Sequence, residues 1–357
     1  MSGIHQFVPM LHRGDAVGRH TLRLRDLMVA RGIDSRIYVE LIDPETAGET
    51  ASASTYPDEV QPGDVLVYQL ATASDLAPWL AARTETLVVN YHNITPPDLF
   101  APWDNRLARH QLRALGELHL LSARTALGIA VSAFNRRDLD AAGYGATAVV
   151  PPAAVLAHHD PVRASGRPSS GVGSSRRGTR WLSVGRMAPN KALEDVVMAL
   201  LVARSRHDPD TTLTIVGKPV IASYTAALHR IVCEAGLERA VRFLGHVTDA
   251  DLAAAYAEAD VLVVASAHEG FGVPLIEAMS IGLPIVISAA GALPEVVGPA
   301  GVVTATGDPW ALADTVAGLL ADAGRCRDLV AAGRAQLETL DLPSAGDRMI
   351  DLVCALR

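Results

Sequence analysis

Residues 261–281 read VLVVASAHEGFGVPLIEAMSI, and this segment indicates the fold class of the chain most clearly. The apolar run at 261–265 is typical of a buried strand, and the pattern at 274–281 is typical of a helix. A short loop containing Gly270 and Gly272 joins the two. The stretch therefore predicts one strand–loop–helix unit of a parallel sheet.

The same alternation of short apolar runs and helical patterns continues along the rest of the chain. Strands are predicted at 4–8, 34–40, 64–68, 86–91, 127–131, 146–150, 181–184, 212–216, 241–243, 261–265, 284–287 and 301–303. Helices are predicted between them, among them 105–126, 311–320 and 325–340. This pattern predicts an α/β protein with two doubly wound, Rossmann-like domains.

The length of 357 residues suits two domains of typical size. Residues 161–180 contain five Arg, four Gly and five Ser and no acid, which predicts a flexible linker. We assign residues 1–160 to the first domain and 181–340 to the second, with a helix at 341–357 that could cross back onto the first. Two such domains facing each other would form a ligand-binding cleft beyond the carboxyl ends of their strands.

Composition excludes several classes of protein. Hydrophobic residues make up 49% of the chain, as in folded globular proteins, and the net charge of −8 disfavours nucleic acid as a partner. Three scattered cysteines are too few for a disulfide framework or a zinc site. No signal peptide or long apolar stretch is visible, so we expect a cytoplasmic protein.

The loop that opens the helix at 274–281 has the features of an anion site. Gly270 and Gly272 let the backbone approach a ligand closely, and the positive end of the helix attracts phosphate. Glu269 can accept hydrogen bonds from sugar hydroxyls, and Glu277 from a ribose diol. The alternative is a capped helix start with no ligand. The predicted donor-binding residues here are Glu269, Gly270, Phe271, Gly272, Val273 and Glu277.

A second loop, which contains Gly185, Arg186 and Lys191, follows the first strand of the second domain. Lys occurs only twice in the chain against 29 Arg, so its position in this loop is informative. Two cations between a strand and a helix suit a diphosphate, whose charge grows as the glycosidic bond breaks. The other lysine, Lys218, follows Gly217 at the end of a strand, where it either lines the nucleotide site or is exposed.

These motifs give the second half a resemblance to the donor domain of retaining glycosyltransferases of family 4, which have the GT-B architecture. The resemblance spans about 181–320 and rests on Glu269–x7–Glu277, on the Gly185-Arg186–x4–Lys191 loop, and on residues 215–217, 243–245, 252, 256 and 290–295. It implies that Glu269 contacts the transferred sugar, Glu277 the ribose, and Arg186 with Lys191 the diphosphate. Ala192 stands where the family usually has glycine, which should alter the backbone little.

The first half resembles the family more weakly, through residues 14–16, 91–93 and 131–132. The family usually has two adjacent glycines in the first loop, where this chain has Gly14 followed by Asp15. A carboxylate there would repel a donor diphosphate unless it faces the acceptor or a sugar hydroxyl. His92 matches the histidine that, in the family, lies beside the transferred sugar.

The resemblance and the residues together predict a metal-independent, retaining hexosyltransferase of carbohydrate biosynthesis that needs no cofactor. The expected donor is a UDP, GDP, ADP or dTDP sugar, and the acceptor is a hydroxyl of a soluble oligosaccharide or specialised metabolite. The predicted catalytic residues are Glu269, His92, Arg186 and Lys191. The remaining predicted donor-binding residues are Gly14, Asp15, Gly185, Gly217 and Lys218.

Several alternatives stay open from the sequence alone. The acceptor could be a cell-envelope polysaccharide or glycolipid, and the protein could be a nucleotide-sugar epimerase, a hydrolase or a non-catalytic binder. A dinucleotide-dependent oxidoreductase is disfavoured because residues 11–20 lack a complete Gly-x-Gly-x-x-Gly turn.

Two other patterns in the sequence concern metal and membrane binding. The Asp-x-Asp pairs at 138–140 and 249–251 resemble a metal motif, but their predicted positions in helices favour acids that complement the helix dipole. The basic face of the helix at 105–126 could associate peripherally with an anionic membrane, although a solvated surface is favoured.

Overall fold

The computed structural model describes residues 2–153 and 178–357. These residues divide into two compact units, one made of 2–98, 106–153 and 341–357, and the other of 99–105 and 178–340. Residues 161–177 of the predicted linker lie outside the described residues. Its last residue, Arg180, already begins a strand.

The strands occur close to where the sequence predicts them. They are β1 (Ile4–Val8), β2 (Ile37–Val39), β3 (Ala51–Ser52), β4 (Val65–Leu70), β5 (Thr86–Tyr91), β6 (Thr125–Ala130), β7 (Thr147–Val149), β8 (Arg180–Val184), β9 (Thr212–Val216), β10 (Val241–Gly245), β11 (Val261–Val264), β12 (Ile285–Ser288) and β13 (Val302–Thr304). The two-residue strand β3 has no counterpart among the predicted strands because it is too short to show an apolar pattern.

The helices fill the connections between the strands. They are α1 (Ala16–Ala30), α2 (Tyr56–Glu59), α3 (Leu76–Ala81), α4 (Pro97–Phe100), α5 (Asn105–Ser122), α6 (Ala133–Ala141), α7 (Leu193–Arg206), α8 (Ala222–Glu234), α9 (Asp249–Glu258), α10 (Val273–Ile281), α11 (Leu293–Val297), α12 (Pro309–Ala321), α13 (Ala323–Leu340) and α14 (Leu342–Cys354). None of the helices in the described part of the chain is both long and apolar enough to cross a bilayer.

One predicted helix is too long. The sequence predicts a helix over 105–126, but α5 ends at Ser122 and β6 begins at Thr125. The side chain of Arg124 donates to the carbonyl oxygens of Arg83 and Glu85 at 2.8 and 2.7 Å. These bonds hold the chain in an extended course toward the neighbouring strand, which ends the helix.

The first unit is built on a parallel sheet that, within the described residues, has the strand order β3-β2-β1-β4-β5-β6-β7. The order reverses between β1 and β4, as in Rossmann-like folds. Apolar side chains cover both faces, because Leu66 and Tyr68 of β4 join one core cluster while Val65 and Val67 join the other.

Helix α14 completes the core of the first unit. Its residues Met349, Ile350 and Val353 are 2% exposed or less and pack in the same cluster as Leu24 and Met28 of α1. The chain therefore returns to the first unit after it has built the second.

The segment 99–105 lies in the second unit, although a domain boundary at residue 160 places it in the first. The ring of Trp103 meets the ring of Tyr224 with centroids 5.1 Å apart. The hydroxyl of Ser223 donates to the carbonyl oxygen of Trp103 at 3.0 Å. An aromatic contact with a residue 121 positions along the chain is not visible in a sequence pattern.

The second unit has a parallel sheet with the order β10-β9-β8-β11-β12-β13 among the described residues. Its order reverses between β8 and β11, and ligands of doubly wound sheets bind at such a reversal. The loops that follow β8 and β11 are the two that carry the predicted donor residues. The predicted fold class, doubly wound α/β units with parallel sheets, is confirmed.

Candidate functional site

The loop after β8 and the loop after β11 meet at the carboxyl edge of the second sheet. The backbone N–H of Ala267 donates to the carbonyl oxygen of Asn190 at 2.9 Å. The side-chain amide of Asn190 donates to the carbonyl oxygen of His268 at 3.2 Å. These bonds join the two loops on either side of Lys191 and Glu269.

Lys191 and Glu269 form an ion pair across this junction. The ammonium of Lys191 contacts Glu269 Oε1, and the hydroxyl of Ser266 donates to the same oxygen at 3.0 Å. The two charged side chains are only 17% and 11% exposed. The structure thus brings together two predicted site residues that are 78 positions apart, and it adds Ser266, which the motifs did not indicate.

Two glycines let the neighbouring strand-end loops run side by side. Gly185 and Gly217 have φ angles of +149° and +155°. A Cβ atom on Gly217 would lie 1.8 Å from the carbonyl oxygen of Gly185. The sequence predicts Gly217 as a donor-binding residue. In the structure, a side chain at this position would also collide with the backbone of Gly185.

Gly291, in the loop after β12, supports Glu269 from another side. Its φ is +57°, and an added Cβ would lie 2.2 Å from the carbonyl oxygen of Glu269. That oxygen accepts a hydrogen bond from the N–H of Ala292 at 2.9 Å. Gly291 therefore lets the loop after β12 pack against the backbone of Glu269, and any larger residue there would force one of the two backbones to move.

The start of α10 has the geometry expected of an anion site. Gly272 precedes the helix with φ +97°, and within the described residues no side chain caps this end. Pro274 lies in the first turn, where its missing N–H costs no hydrogen bond. Phe271, only 7% exposed, packs the loop against the domain. The uncapped end leaves backbone N–H groups and the positive end of the helix available to an anion.

Glu277 is buried one turn into α10. Its Oε2 accepts a hydrogen bond from the hydroxyl of Tyr256 at 2.6 Å. Burial, reinforced by the charge of Glu277, raises the pKa of Tyr256 well above its ordinary value, so the phenol stays protonated and donates. Tyr256 therefore orients the carboxylate that the resemblance assigns to the ribose.

The two other predicted cations of the second unit lie at the surface. Arg186 and Lys218 are exposed, and neither forms an ion pair with another described residue. The carbonyl oxygen of Lys218 accepts from the N–H of Met187 at 2.9 Å, which ties the two strand-end loops together. Lys218 stays a predicted donor-binding residue.

Ala192 shows why the family usually has glycine after the lysine. It adopts φ +44°, ψ +50°, a left-handed conformation, between the 3-10 turn Pro189–Lys191 and α7. Glycine adopts this conformation without the steric cost that a Cβ atom brings. For an alanine the left-handed conformation costs roughly 1 kcal/mol.

In the first unit, Asp15 caps helix α1. Its Oδ1 accepts from the N–H of Gly18 at 2.7 Å, and Gly14 lies in the exposed turn before it. The carboxylate therefore satisfies an N–H group at the end of the helix that would attract an anion. This is how the loop accommodates an acid where the family usually has a second glycine.

His92 directly follows β5 and continues its ladder, with its N–H donating to the carbonyl oxygen of Leu70 at 2.9 Å. Its Nε2 lies 2.7 Å from Gln69 Oε1 and 3.1 Å from Asn90 Nδ2. Burial lowers the pKa of His92 to about 3, so the ring is neutral at physiological pH. The motifs missed Gln69 and Asn90, although polar residues inside apolar strands are a visible signal.

The four aspartates of the Asp-x-Asp pairs lie in helices. Asp138 and Asp140 belong to α6, and Asp249 and Asp251 to the first turn of α9. Asp138 Oδ2 accepts from the hydroxyl of Tyr91 at 3.0 Å, and Asp251 accepts from the hydroxyl of its N-cap, Thr248, at 2.7 Å. Within the described part of the chain no group of three metal-ligating side chains is present.

Two doubly wound units, with the paired loops and the uncapped helix at the reversal of the second sheet, are the features of the GT-B class. Comparison with known proteins agrees with this class: residues 178–322 match the family described as glycosyl transferases group 1. The resemblance to family 4 glycosyltransferases and the GT-B fold predicted from the sequence are confirmed.

Individual relatives are similar to part of the chain. A GDP-mannose:cellobiosyl-diphosphopolyprenol alpha-mannosyltransferase of Xanthomonas oryzae is 34% identical over 113 residues, which are 32% of this chain and 29% of the relative. The match thus spans less than a third of that relative's length.

Solved structures match over nearly the whole chain. Sucrose-phosphate synthase from Thermosynechococcus elongatus has a TM-score of 0.78 at 20% identity and covers 100% of this chain and 99% of its own. HepE of Anabaena, crystallised with UDP-glucose, has a TM-score of 0.73 at 20% identity over 99% of each chain. At 20% identity, the similarity to these structures establishes the fold alone.

Proposed function

We propose that the protein is a retaining glycosyltransferase that moves a hexosyl unit from a nucleoside diphosphate sugar to a hydroxyl group of its acceptor. The observation that carries the proposal is the junction of Lys191 and Glu269 beside the uncapped start of α10. A cation, a carboxylate and a helix N-terminus within one site are suited to bind a diphosphate next to a sugar.

The charged residues of the second unit are proposed to bind different parts of the donor. Arg186 and Lys191 neutralise the diphosphate together with the positive end of α10, and this stabilisation grows as the leaving group takes up charge. Glu269 accepts hydrogen bonds from hydroxyls of the transferred sugar. Glu277, oriented by Tyr256, accepts from the ribose.

The proposed step exchanges one bond to the anomeric carbon for another on the same face of the sugar. The bond to the diphosphate oxygen breaks and the bond to the acceptor oxygen forms. The departing phosphate oxygen takes the proton of the acceptor hydroxyl, so the step needs neither an enzyme nucleophile nor a metal ion. The side chains bind, orient and stabilise charge, as in other transfers dominated by electrostatic preorganisation.

The base of the donor is the first point to test. HepE was crystallised with UDP-glucose, and the Xanthomonas oryzae relative is named for GDP-mannose. A thermal-shift screen with UDP, GDP, ADP and dTDP distinguishes the candidates, because a ligand at 100 times its dissociation constant adds about 2.7 kcal/mol of stability. The nucleotide that raises the melting temperature most identifies the donor class.

The acceptor is proposed to be a soluble oligosaccharide or specialised metabolite, bound by the first unit. A cell-envelope polysaccharide or glycolipid is the second candidate, since the named relative from Xanthomonas oryzae acts on a diphosphopolyprenol acceptor. Incubation of the protein and donor with each class of acceptor, followed by mass spectrometry of the products, decides between them.

The site assignment is tested with Glu269→Ala and Lys191→Ala. Loss of a preorganised contact to the developing charge costs about 3 kcal/mol in the barrier, so we expect transfer to slow at least a hundredfold in each variant. Glu258→Ala, at the exposed end of α9, is the matched control and keeps the parent rate. Parent rates in both site variants with every nucleotide sugar would contradict the assignment. Product formed without acceptor, or binding without turnover, would favour an epimerase, a hydrolase or a non-catalytic binder.

A further inference from the structure

A chain of buried polar side chains crosses the sheet of the first unit beside His92. Gln6, Gln69 and Asn90 lie on the neighbouring strands β1, β4 and β5, and each is at most 1% exposed. Buried polar side chains inside a core sheet are costly unless they are hydrogen-bonded. None of the roles assigned above uses Gln6, Gln69 or Asn90.

The orientation of each side-chain amide follows from the carbonyl oxygen of Thr21, at one end of this series of hydrogen bonds. The carbonyl oxygen of Thr21 can only accept, and Gln6 Nε2 lies 2.9 Å from it. Gln6 therefore presents Oε1 to Gln69, whose Nε2 lies 2.8 Å away. Gln69 in turn presents Oε1 to His92 Nε2 at 2.7 Å. Since an amide oxygen only accepts, Nε2 of His92 carries the ring proton.

This proton assignment determines the other ring nitrogen. Burial keeps the His92 imidazole neutral, with its pKa lowered to about 3, so the ring has a single proton. Nδ1 therefore holds a lone pair, and no described residue donates to it. A neutral Nδ1 accepts a hydrogen bond from a hydroxyl and cannot donate one to a phosphate oxygen.

At the opposite end of this series of hydrogen bonds, near His20, there is one more donor than there are acceptors. Asn90 Nδ2 lies 2.8 Å from Gln69 Oε1, 2.8 Å from His20 Nε2 and 3.1 Å from His92 Nε2, and its two protons serve the two shorter contacts. The N–H of Ala153 points at His20 Nδ1 from 2.9 Å. A neutral imidazole accepts at only one nitrogen, so the excess donor falls at His20. Only the amides of Gln6 and Gln69 lie between the Thr21 carbonyl and His92. The Thr21 carbonyl therefore determines the direction of the hydrogen bonds that reach His92.

We propose that Gln69, itself oriented by Gln6, is a positioning residue that holds His92 as the Nε2–H tautomer, so that Nδ1 accepts a hydrogen bond from a substrate hydroxyl. The role toward substrate rests on the proposed function and on the resemblance, which implies that His92 lies beside the transferred sugar. The tautomer itself does not depend on that function. A sugar that lacks the hydroxyl leaves the acceptor unpaired and is discriminated against.

The tautomer is read directly in the full chain labelled with nitrogen-15 at histidine. Long-range proton–nitrogen correlation spectra distinguish protonated from unprotonated ring nitrogens, and His92→Gln assigns the signals of His92. We expect a protonated Nε2 and an unprotonated Nδ1 at pH 7, unchanged on lowering the pH to 5. A protonated Nδ1 overturns the proposal. No donor or acceptor is needed, so this result does not depend on the proposed transfer.

Three variants test whether the amide chain sets the tautomer. Gln69→Met removes the acceptor and Gln6→Met removes the group that orients it, so both should give a mixture of tautomers at His92. Gln69→Glu keeps an acceptor and should restore the single Nε2–H form. Tyr68→Phe, on the adjacent residue of β4 and the opposite face of the sheet, should change nothing. A single unchanged tautomer in both Met variants overturns the role of Gln69.

Kinetic measurements then test whether the tautomer of His92 matters for sugar transfer. With the donor found by the thermal-shift screen, we expect kcat/KM at least tenfold lower in Gln69→Met and recovery of most of this loss in Gln69→Glu. Equal rates in Gln69→Met and the parent overturn the role of Nδ1 toward substrate, while the tautomer assignment stands. Absence of transfer by the parent chain with every donor contradicts the proposed function instead.

Discussion

Lys191 and Glu269 are partners of one another, and each is also proposed to bind part of the donor. A diphosphate that reaches Lys191 competes with the Glu269 carboxylate, which Ser266 helps to hold in place. The carboxylate also repels the phosphate directly. The proposed site is therefore balanced between its own ion pair and its ligand.

The variant Glu269→Gln tests this balance. We expect the free nucleoside diphosphate to bind three- to tenfold tighter, because Lys191 no longer has a charged partner, while transfer from the nucleotide sugar falls at least tenfold. Isothermal titration calorimetry and initial rates measure the two effects. Glu258→Gln removes an exposed carboxylate of the same unit and should change neither. Weaker nucleotide binding by Glu269→Gln would show that the pair does not oppose the ligand.

The sequence predicts which residues form this site but not how they meet. The scarcity of lysine and the glycine spacing indicate Lys191 and the loop around Glu269, because those features are local. Ser266 and Asn190 have no such signal, since their partners lie across the junction of two loops. Gln69 and Asn90 do carry a signal, a polar residue in an apolar strand, but its meaning depends on the neighbouring strand.

At the scale of an element, Asp15 determines how helix α1 begins. Asp15→Ala should destabilise the protein by about 1 kcal/mol, because the N–H of Gly18 loses its cap. Asp15→Ser keeps a capping oxygen and removes the charge, so its melting temperature should stay near that of the parent. Thermal denaturation of both variants checks the cap.

The rates of the same two variants separate capping from a direct role of the carboxylate. If Asp15→Ser transfers sugar at the parent rate, Asp15 acts through the helix cap alone. A stable Asp15→Ser chain with altered KM for donor or acceptor would instead show that the charge contacts substrate.

The loop after β12 is the element that holds the Glu269 backbone in place. Gly291→Ala should slow transfer at least tenfold and lower stability by roughly 2 kcal/mol, because the new Cβ meets the carbonyl oxygen of Glu269 and φ stays positive. Gly318→Ala, exposed in α12 with no atom near its added Cβ, should stabilise the chain by about 0.5–1 kcal/mol. Rates and thermal denaturation measure both. A fully active Gly291→Ala enzyme would contradict the supporting role of the loop.

Strands were predicted well and helix ends less well, for a physical reason. Buried parallel strands are continuous apolar runs, and the predicted strands at 86–91 and 212–216 match β5 and β9 residue for residue. The end of α5 depends on bonds from Arg124 to two carbonyl groups about 40 residues earlier. A periodic pattern carries no information about such partners.

At the scale of the whole molecule, the histidines His20 and His92 of the first unit make stability depend on pH. Burial lowers the pKa of His92 to about 3, and burial together with the nearby His92 lowers that of His20 well below the ordinary value of 6.5. Below pH 6.5 the unfolded chain binds these protons and the folded chain does not. The stabilisation is thus fully present above pH 6.5 and is lost as the pH falls toward the folded values.

Between pH 6.5 and 5, His92 alone should account for a loss of roughly 2 kcal/mol. Melting temperatures of the full chain across this range measure the loss, and His92→Gln should reduce it. His246→Gln, which removes an exposed histidine, should leave the pH dependence unchanged. A stability that does not fall with acidity would contradict the neutral state of His92 in the folded chain.

The chain order of the two units was only partly visible in the sequence. Composition marks 161–180 as a boundary, but the segment 99–105 belongs to the second unit through ring packing of Trp103 on Tyr224. Helix α14 joins the core of the first unit because its apolar face matches that of α1. Helical periodicity alone does not say which core receives a helix.

The central claim is that the loops after β8 and β11 bind a nucleoside diphosphate sugar. A crystal structure of the full chain, soaked with the nucleotide sugar that raises its melting temperature most, tests this directly. We expect diphosphate oxygens at about 3 Å from Lys191 Nζ and at the start of α10, with Glu269 turned from Lys191 to a hydroxyl of the sugar. Diphosphate density away from both loops, or a Glu269 side chain that does not touch the sugar, would contradict the claim.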